Sequence, residues 1–143
     1  MAITSYLARE AGLYGTSNIE ALKIDQIVQT REDLLTEEVK VWKEKDAAKN
    51  AEMTKNMDEN VYPKILGKFE KLIKENQNKT GSKFSVGNQL TLADIILLEG
   101  TVTVSQKNPA LLDKYPAVKG VASLAADLDG IKQYLAKRAK TDL

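Results

Sequence analysis

The sequence predicts an all-helical bundle, and three observations carry that reading. Apolar residues recur at three- and four-residue spacing along most of the chain. The stretch Leu90-Thr91-Leu92-Ala93-Asp94-Ile95 holds a complete helix-start signature. No segment shows the alternation of a convincing strand, and no internal repeat is found.

In chain order, Ile3 to Ala11 reads as a short helix with Ile3, Tyr6 and Leu7 on one face, ended by Gly12 and Gly15. So short a helix must pack on something. The second helix runs from Asn18 or Ile19 to Trp42 or beyond. Ile24, Ile27, Val28, Leu34, Leu35 and Val39 form its apolar stripe, interrupted at Arg31. Trp42 reads as a partly buried anchor. Dense mixed charge from Lys43 to Asn60 describes solvated helix surface or a turn, and no site is assigned there.

The third helix carries Tyr62, Ile65, Leu66, Phe69 and Ile73 on one face. Pro63 either occupies its first turn or kinks a longer helix that begins near Ala47. Lys74 to Ser82 reads as a polar loop. Thr91 then caps the central helix: its hydroxyl accepts from the Asp94 N–H, and the Asp94 carboxylate reaches back to the Thr91 N–H. Leu90 and Ile95 stand at the spacing of a hydrophobic staple. From Leu92 to about Val104 the helix is apolar on most faces, so it should be central and buried. Asp94 is tolerable near a core because backbone donors and the positive helix end favour its charge.

Asn108-Pro109 opens a one-turn helix over Leu111 and Leu112. Tyr115-Pro116 starts another, with Val118, Val121, Leu124 and Leu128 on one face, and Ile131, Tyr134 and Leu135 anchor the last. The sum is about seven helices, two of them long.

Composition excludes several function classes. At 143 residues with a net charge of +1 and 29% charged residues, the chain is one domain with a mixed surface, not a nucleic-acid or membrane binder. No run approaches the length of a membrane helix, and the N-terminus has no signal-peptide core, so a cytoplasmic setting is expected. Cysteine and histidine are both absent. That removes disulfides, a thiolate nucleophile, an imidazole base and the usual zinc ligands.

Phe84 to Asp94 resembles the (F/Y)-x-(V/L)-G-(N/D)-x-(L/F)-(T/S)-x-A-D signature of the glutathione S-transferase helical domain. Tyr6 to Leu13 resembles the end of that family's third thioredoxin-domain helix with its interdomain linker. Asp25 to Leu34 resembles its first long helical-domain helix. The three segments together are most similar to the sigma class. The resemblance implies residues 1–15 as a remnant helix and linker of a thioredoxin-like domain, and residues 16–143 as the helical, electrophile-binding domain. It also implies that the chain begins just after the glutathione-binding Q-S pair. The thiolate-activating tyrosine then has no counterpart, and Tyr6 and Tyr14 lie in the wrong segments to replace it. No catalytic residue is assigned, and this chain alone is expected to conjugate nothing.

The resemblance assigns further roles. Asp33 occupies the position whose carboxylate crosses a dimer to the glutathione amine, and a solvated helix carboxylate is the alternative. Leu35 and Ile96 align with the pocket for a small apolar electrophile and Leu143 with its C-terminal lid; plain core packing is the commoner reading for the first two. Gln29, Glu32 and Asp33 align with three carboxylates that hold a divalent cation, but Gln29 breaks the set, so no metal is expected. No cofactor is expected beyond glutathione as co-substrate. Asp129 and Ala139 replace family prolines, and Asp129 is expected to cap the last helix. Ile3, Tyr6 and Leu7 would meet the thioredoxin sheet in the family. Here they are expected to dock on the helical domain, a second copy or a partner. The competing functions are a non-catalytic dimerisation or structural module and a carrier of an apolar ligand.

Overall fold

The computed structural model describes residues 1–138. These residues form eight α-helices and no strand: α1 (Ala2–Glu10), α2 (Asn18–Lys43), α3 (Ala47–Asn56), α4 (Tyr62–Thr80), α5 (Leu92–Lys107), α6 (Pro109–Leu112), α7 (Pro116–Asp127) and α8 (Asp129–Lys137). A π turn, Met57–Val61, joins α3 to α4. None of the helices is long and apolar enough to cross a membrane.

Both courses open at Pro63 are realised, since it stands in the first turn of α4 and that helix continues one begun at Ala47. Helix runs from Ala47 through the π turn into α4. Proline lacks an N–H and crowds the preceding turn, and the wider π turn just before it absorbs both. Met57, in that turn, enters the core.

Helix α5 is the centre, packed against α2, α6 and α7. Leu92, Ala93, Leu97 and Val104 are buried with Ile24, Ile27 and Val28 of α2 and Val118 and Val121 of α7. The burial is less complete than its composition suggests: Ile95, Ile96 and Leu98 are only half-buried.

Four expectations are corrected. The supposed polar loop after Lys74 is helix to Thr80, stopped by Gly81 in the left-handed conformation (φ 71°). Its asparagines read as breakers because their side chains compete for backbone groups. Asn76 instead reaches across to another segment. Trp42 is 77% exposed, not an anchor, because it lies in the last turn of α2 beyond the core. Tyr134 is also exposed, leaving Ile131 and Leu135 half-buried on the inner side of α8. Asp129 does not cap α8: Leu128 holds that place, and Asp129 stands inside the first turn, where its charge meets the helix dipole without a capping bond.

Candidate functional site

Two polar constellations sit beside α5. The first surrounds its N-terminus. The capping box closes as Thr91 and Asp94 predict. The Thr91 N–H donates to Asp94 Oδ2 at 2.7 Å, and the Thr91 hydroxyl donates to the same oxygen at 3.0 Å. Asp94 Oδ1 accepts from the Ser85 N–H at 2.8 Å. Asp94 is thus 1% exposed and fully supplied with donors. Asn76 pins the same turn from α4: its amide donates to the carbonyls of Phe84 and Gly87, and its oxygen accepts from the Gly87 N–H at 3.0 Å. The Leu92 N–H donates to the Leu13 carbonyl at 2.8 Å, which ties the segment after α1 to the head of α5. The donors that reach Asp94 and Asn76 are all used within the fold, and only the buried Ser85 hydroxyl among the described residues of this turn lacks a partner; the constellation is structural.

Helix α1 is held to the body by few groups. The Tyr14 hydroxyl bonds Asp25 of α2, Ser5 stands 3.4 Å from it, and the Arg9 guanidinium lies over the Tyr14 ring. Ile3, Tyr6 and Leu7 point away, 78%, 61% and 58% exposed. They do not dock on the helical body.

The second constellation faces a cleft. Arg31 breaks the apolar stripe of α2, yet it is 4% exposed. Its Nε and Nη2 donate to Oε2 and Oε1 of Glu99 on α5, each at 2.9 Å, the bidentate geometry that suits a guanidinium. Gly100 makes this approach possible, since a Cβ there would stand 2.8 Å from Arg31 Cδ and Nε. Arg31 Nη1 lies 3.0 Å from Glu38 Oε2 as an ion pair, without hydrogen-bond alignment. Glu38 Oε1 accepts from the Tyr62 hydroxyl at 3.2 Å. Burial, then the charge and hydrogen bond of Glu38, push the Tyr62 phenol well above its ordinary pKa, so it stays a neutral donor.

These residues floor a cleft of about 490 Å³ between α2, the α3–π-turn segment and α5. Leu35, Val39 and Trp42 form one wall, and Met57 and Asp58 the other. That volume suits a small organic ligand. Its lining carries carboxylates, a phenol, an arginine and a lysine, but no thiol or imidazole.

Of the residues singled out from the sequence, Leu35 lines the cleft, whereas Ile96 is half-buried against the core and is not among the lining residues. Asp33 is exposed on α2 and has no hydrogen-bond or ion-pair partner among the described residues. Leu143 and Ala139 lie outside the described residues. Among those described, no three acidic side chains come together as a metal site. Sequence reasoning missed Glu38, Tyr62, Glu99 and Gly100. The available signal was the arginine within an apolar stripe: a buried guanidinium requires a carboxylate, and Glu99 beside a small residue was a candidate.

Residues 32–138 match the family described as glutathione S-transferase, C-terminal domain. The chain is 33% identical over 141 residues to S-crystallin SL11 of Nototodarus sloanii, covering 99% of this chain and 67% of that protein. It is 30% identical to a glutathione S-transferase of Dirofilaria immitis, covering 96% of this chain and 63% of the relative. Among solved structures, the prostaglandin synthase D of Nilaparvata lugens superposes with a TM-score of 0.85 at 26% identity, covering 98% of this chain and 68% of that one. The sigma class GST of Fasciola hepatica gives 0.79 at 31% identity, covering 99% and 66%. The chain therefore spans about two thirds of the length of its relatives. By the match over most of its length and by the shared helical architecture, the chain belongs to the glutathione S-transferase family and carries that family's C-terminal helical domain.

Proposed function

We propose that this chain is the electrophile-binding domain of a sigma-like glutathione transferase. The carrying observation is the cleft between α2, the π turn and α5, walled by Leu35, Val39, Trp42 and Met57. In this reading the cleft holds a small apolar electrophile. Asp33, exposed and unpaired among the described residues, bonds the ammonium of a glutathione bound to a second subunit. Glutathione is the co-substrate, and its thiol is activated by groups other than those of these 143 residues.

Trp42 is the only tryptophan and lines the cleft, so it reports on occupancy. An electron-poor aromatic such as 1-chloro-2,4-dinitrobenzene should quench its fluorescence saturably. Conjugation to glutathione by this chain alone should stay at the uncatalysed rate. Quenching that rises linearly without saturation would remove the cleft from consideration. Clear turnover would show that a thiol-activating group lies within the chain.

A second reading rests on a different observation. The exposed face of Ile3, Tyr6 and Leu7 favours an interaction module in which α1 docks on a second copy or on a thioredoxin-like half. Hydrogen exchange tests it. Protection of α1 that grows with protein concentration supports self-association, and an α1 unprotected at every concentration argues against docking on a second copy.

A further inference from the structure

The charges around the cleft are unequal, and their partners decide what it can accept. Among the described residues Arg31 is the one deep cation of the cleft, and both oxygens of Glu99 already engage it. Its remaining nitrogen, Nη1, is shielded from solvent beside Glu38. An incoming anion would have to displace a carboxylate to reach it. Lys107 lies on the cleft rim, but it is exposed in the last turn of α5, where water and salt screen it.

The acids are placed otherwise. Glu38 is largely buried, with one oxygen toward Arg31 and the other toward the Tyr62 hydroxyl. Asp58, half-buried in the π turn, has no hydrogen-bond or ion-pair partner among the described residues. With Arg31 and Glu99 matched, Glu38 and Asp58 leave the inner end of the cleft negative. Burial is the first cause of the raised Tyr62 pKa, and the charges of Glu38 and Asp58 add to it.

We infer that the cleft selects an amphipathic ligand whose apolar body lies on Leu35, Val39, Trp42 and Met57, and whose cationic or donor group points to Asp58 and Glu38. Matched anionic ligands are disfavoured. This rests on the cleft being the ligand site, and it narrows the substrate class of that site.

Three probes with one apolar body separate the possibilities: 2-naphthylmethylammonium, 2-naphthylmethanol and 2-naphthoate, each titrated calorimetrically into the whole chain at low salt. The ammonium should bind about fivefold more tightly than the alcohol, the range of a partly exposed ion pair. The carboxylate should bind more weakly than the alcohol by a similar factor. Asp58→Asn should weaken the ammonium more than the alcohol and so narrow the gap between them, with Glu38 retaining part of the preference. High salt should compress the three affinities in the unmodified chain, a readout that needs no variant. Equal affinities, or a preference for the carboxylate, would overturn the charge selection while leaving an apolar pocket in place. Binding by none of the three would overturn the pocket itself.

Discussion

The head and the middle of α5 use carboxylates in opposite ways. At its head, Asp94 is satisfied by the backbone N–H groups of Ser85 and Thr91 and by the Thr91 hydroxyl. Further along, Glu99 is satisfied by Arg31, whose other neighbour Glu38 opens onto a cleft. Backbone donors cannot move without unfolding the turn that presents them, so the first carboxylate is committed to architecture. Side-chain partners can rearrange, so the second group can answer a ligand. The contrast separates an acid fixed by backbone donors from one held by a single side chain.

Removing the structural acid should have the largest effect. Asp94→Ala strands two buried N–H groups, each costing about 1–3 kcal/mol, so a loss of about 4 kcal/mol is expected in urea unfolding. A loss below about 1 kcal/mol would break the comparison.

Glu70 extends it to a second helix. Its Oε2 accepts from the N–H groups of Ala117 and Val118 at the start of α7, and its Oε1 lies 2.9 Å from Lys74 Nζ. Burial alone would raise its pKa, but the Lys74 hydrogen bond and those two N–H groups hold it below the ordinary 4.5. The charged form is therefore favoured in the folded state. The resulting stability is present above pH 4.5 and is lost as pH falls through the lowered folded pKa. Glu70→Gln should cost about 2 kcal/mol at pH 7, and the gap from the parent should shrink as pH falls below 4.5. Thermal melts from pH 7 to pH 3 would show it, and a gap independent of pH would refute it.

The cleft cluster should respond more mildly and show coupling. Arg31→Met leaves Glu38 without its cation, but Glu99 is exposed enough to turn to water. A loss of about 2 kcal/mol is expected. Gly100→Ala forces a methyl against Arg31 and should cost about 1 kcal/mol. That cost should fall away when Arg31 is already Met, because the obstacle has gone. A double-mutant cycle measures this coupling, and strict additivity would show that Gly100 answers to something else.

Much of this was legible before any coordinates. Thr91 and Asp94 marked the start of α5 because a capping box is a short-range pattern whose partners are three residues apart. The Pro63 alternatives were legible as well, and the π turn before it lets both hold. Asn76 was misread because its hydrogen-bond partners, Phe84 and Gly87, belong to another segment. Trp42 and Tyr134 were misread because helical spacing gives the face of a residue but not where along the helix the core ends.

By itself the sequence determined the class of fold, the positions of most helices, the closed turn at the head of α5 and the absence of thiol or imidazole chemistry. Each of these depends on residues within a few positions of one another, or on composition. Tertiary structure alone decided the cleft. Arg31 and Glu99 are separated by 68 positions and meet only because α2 crosses α5 where Gly100 leaves room. Tyr62 finds Glu38 only because the π turn re-aims the chain before Pro63. A periodic pattern places a side chain on a face, but which two faces meet, and at what height, is set by the packing of the whole bundle.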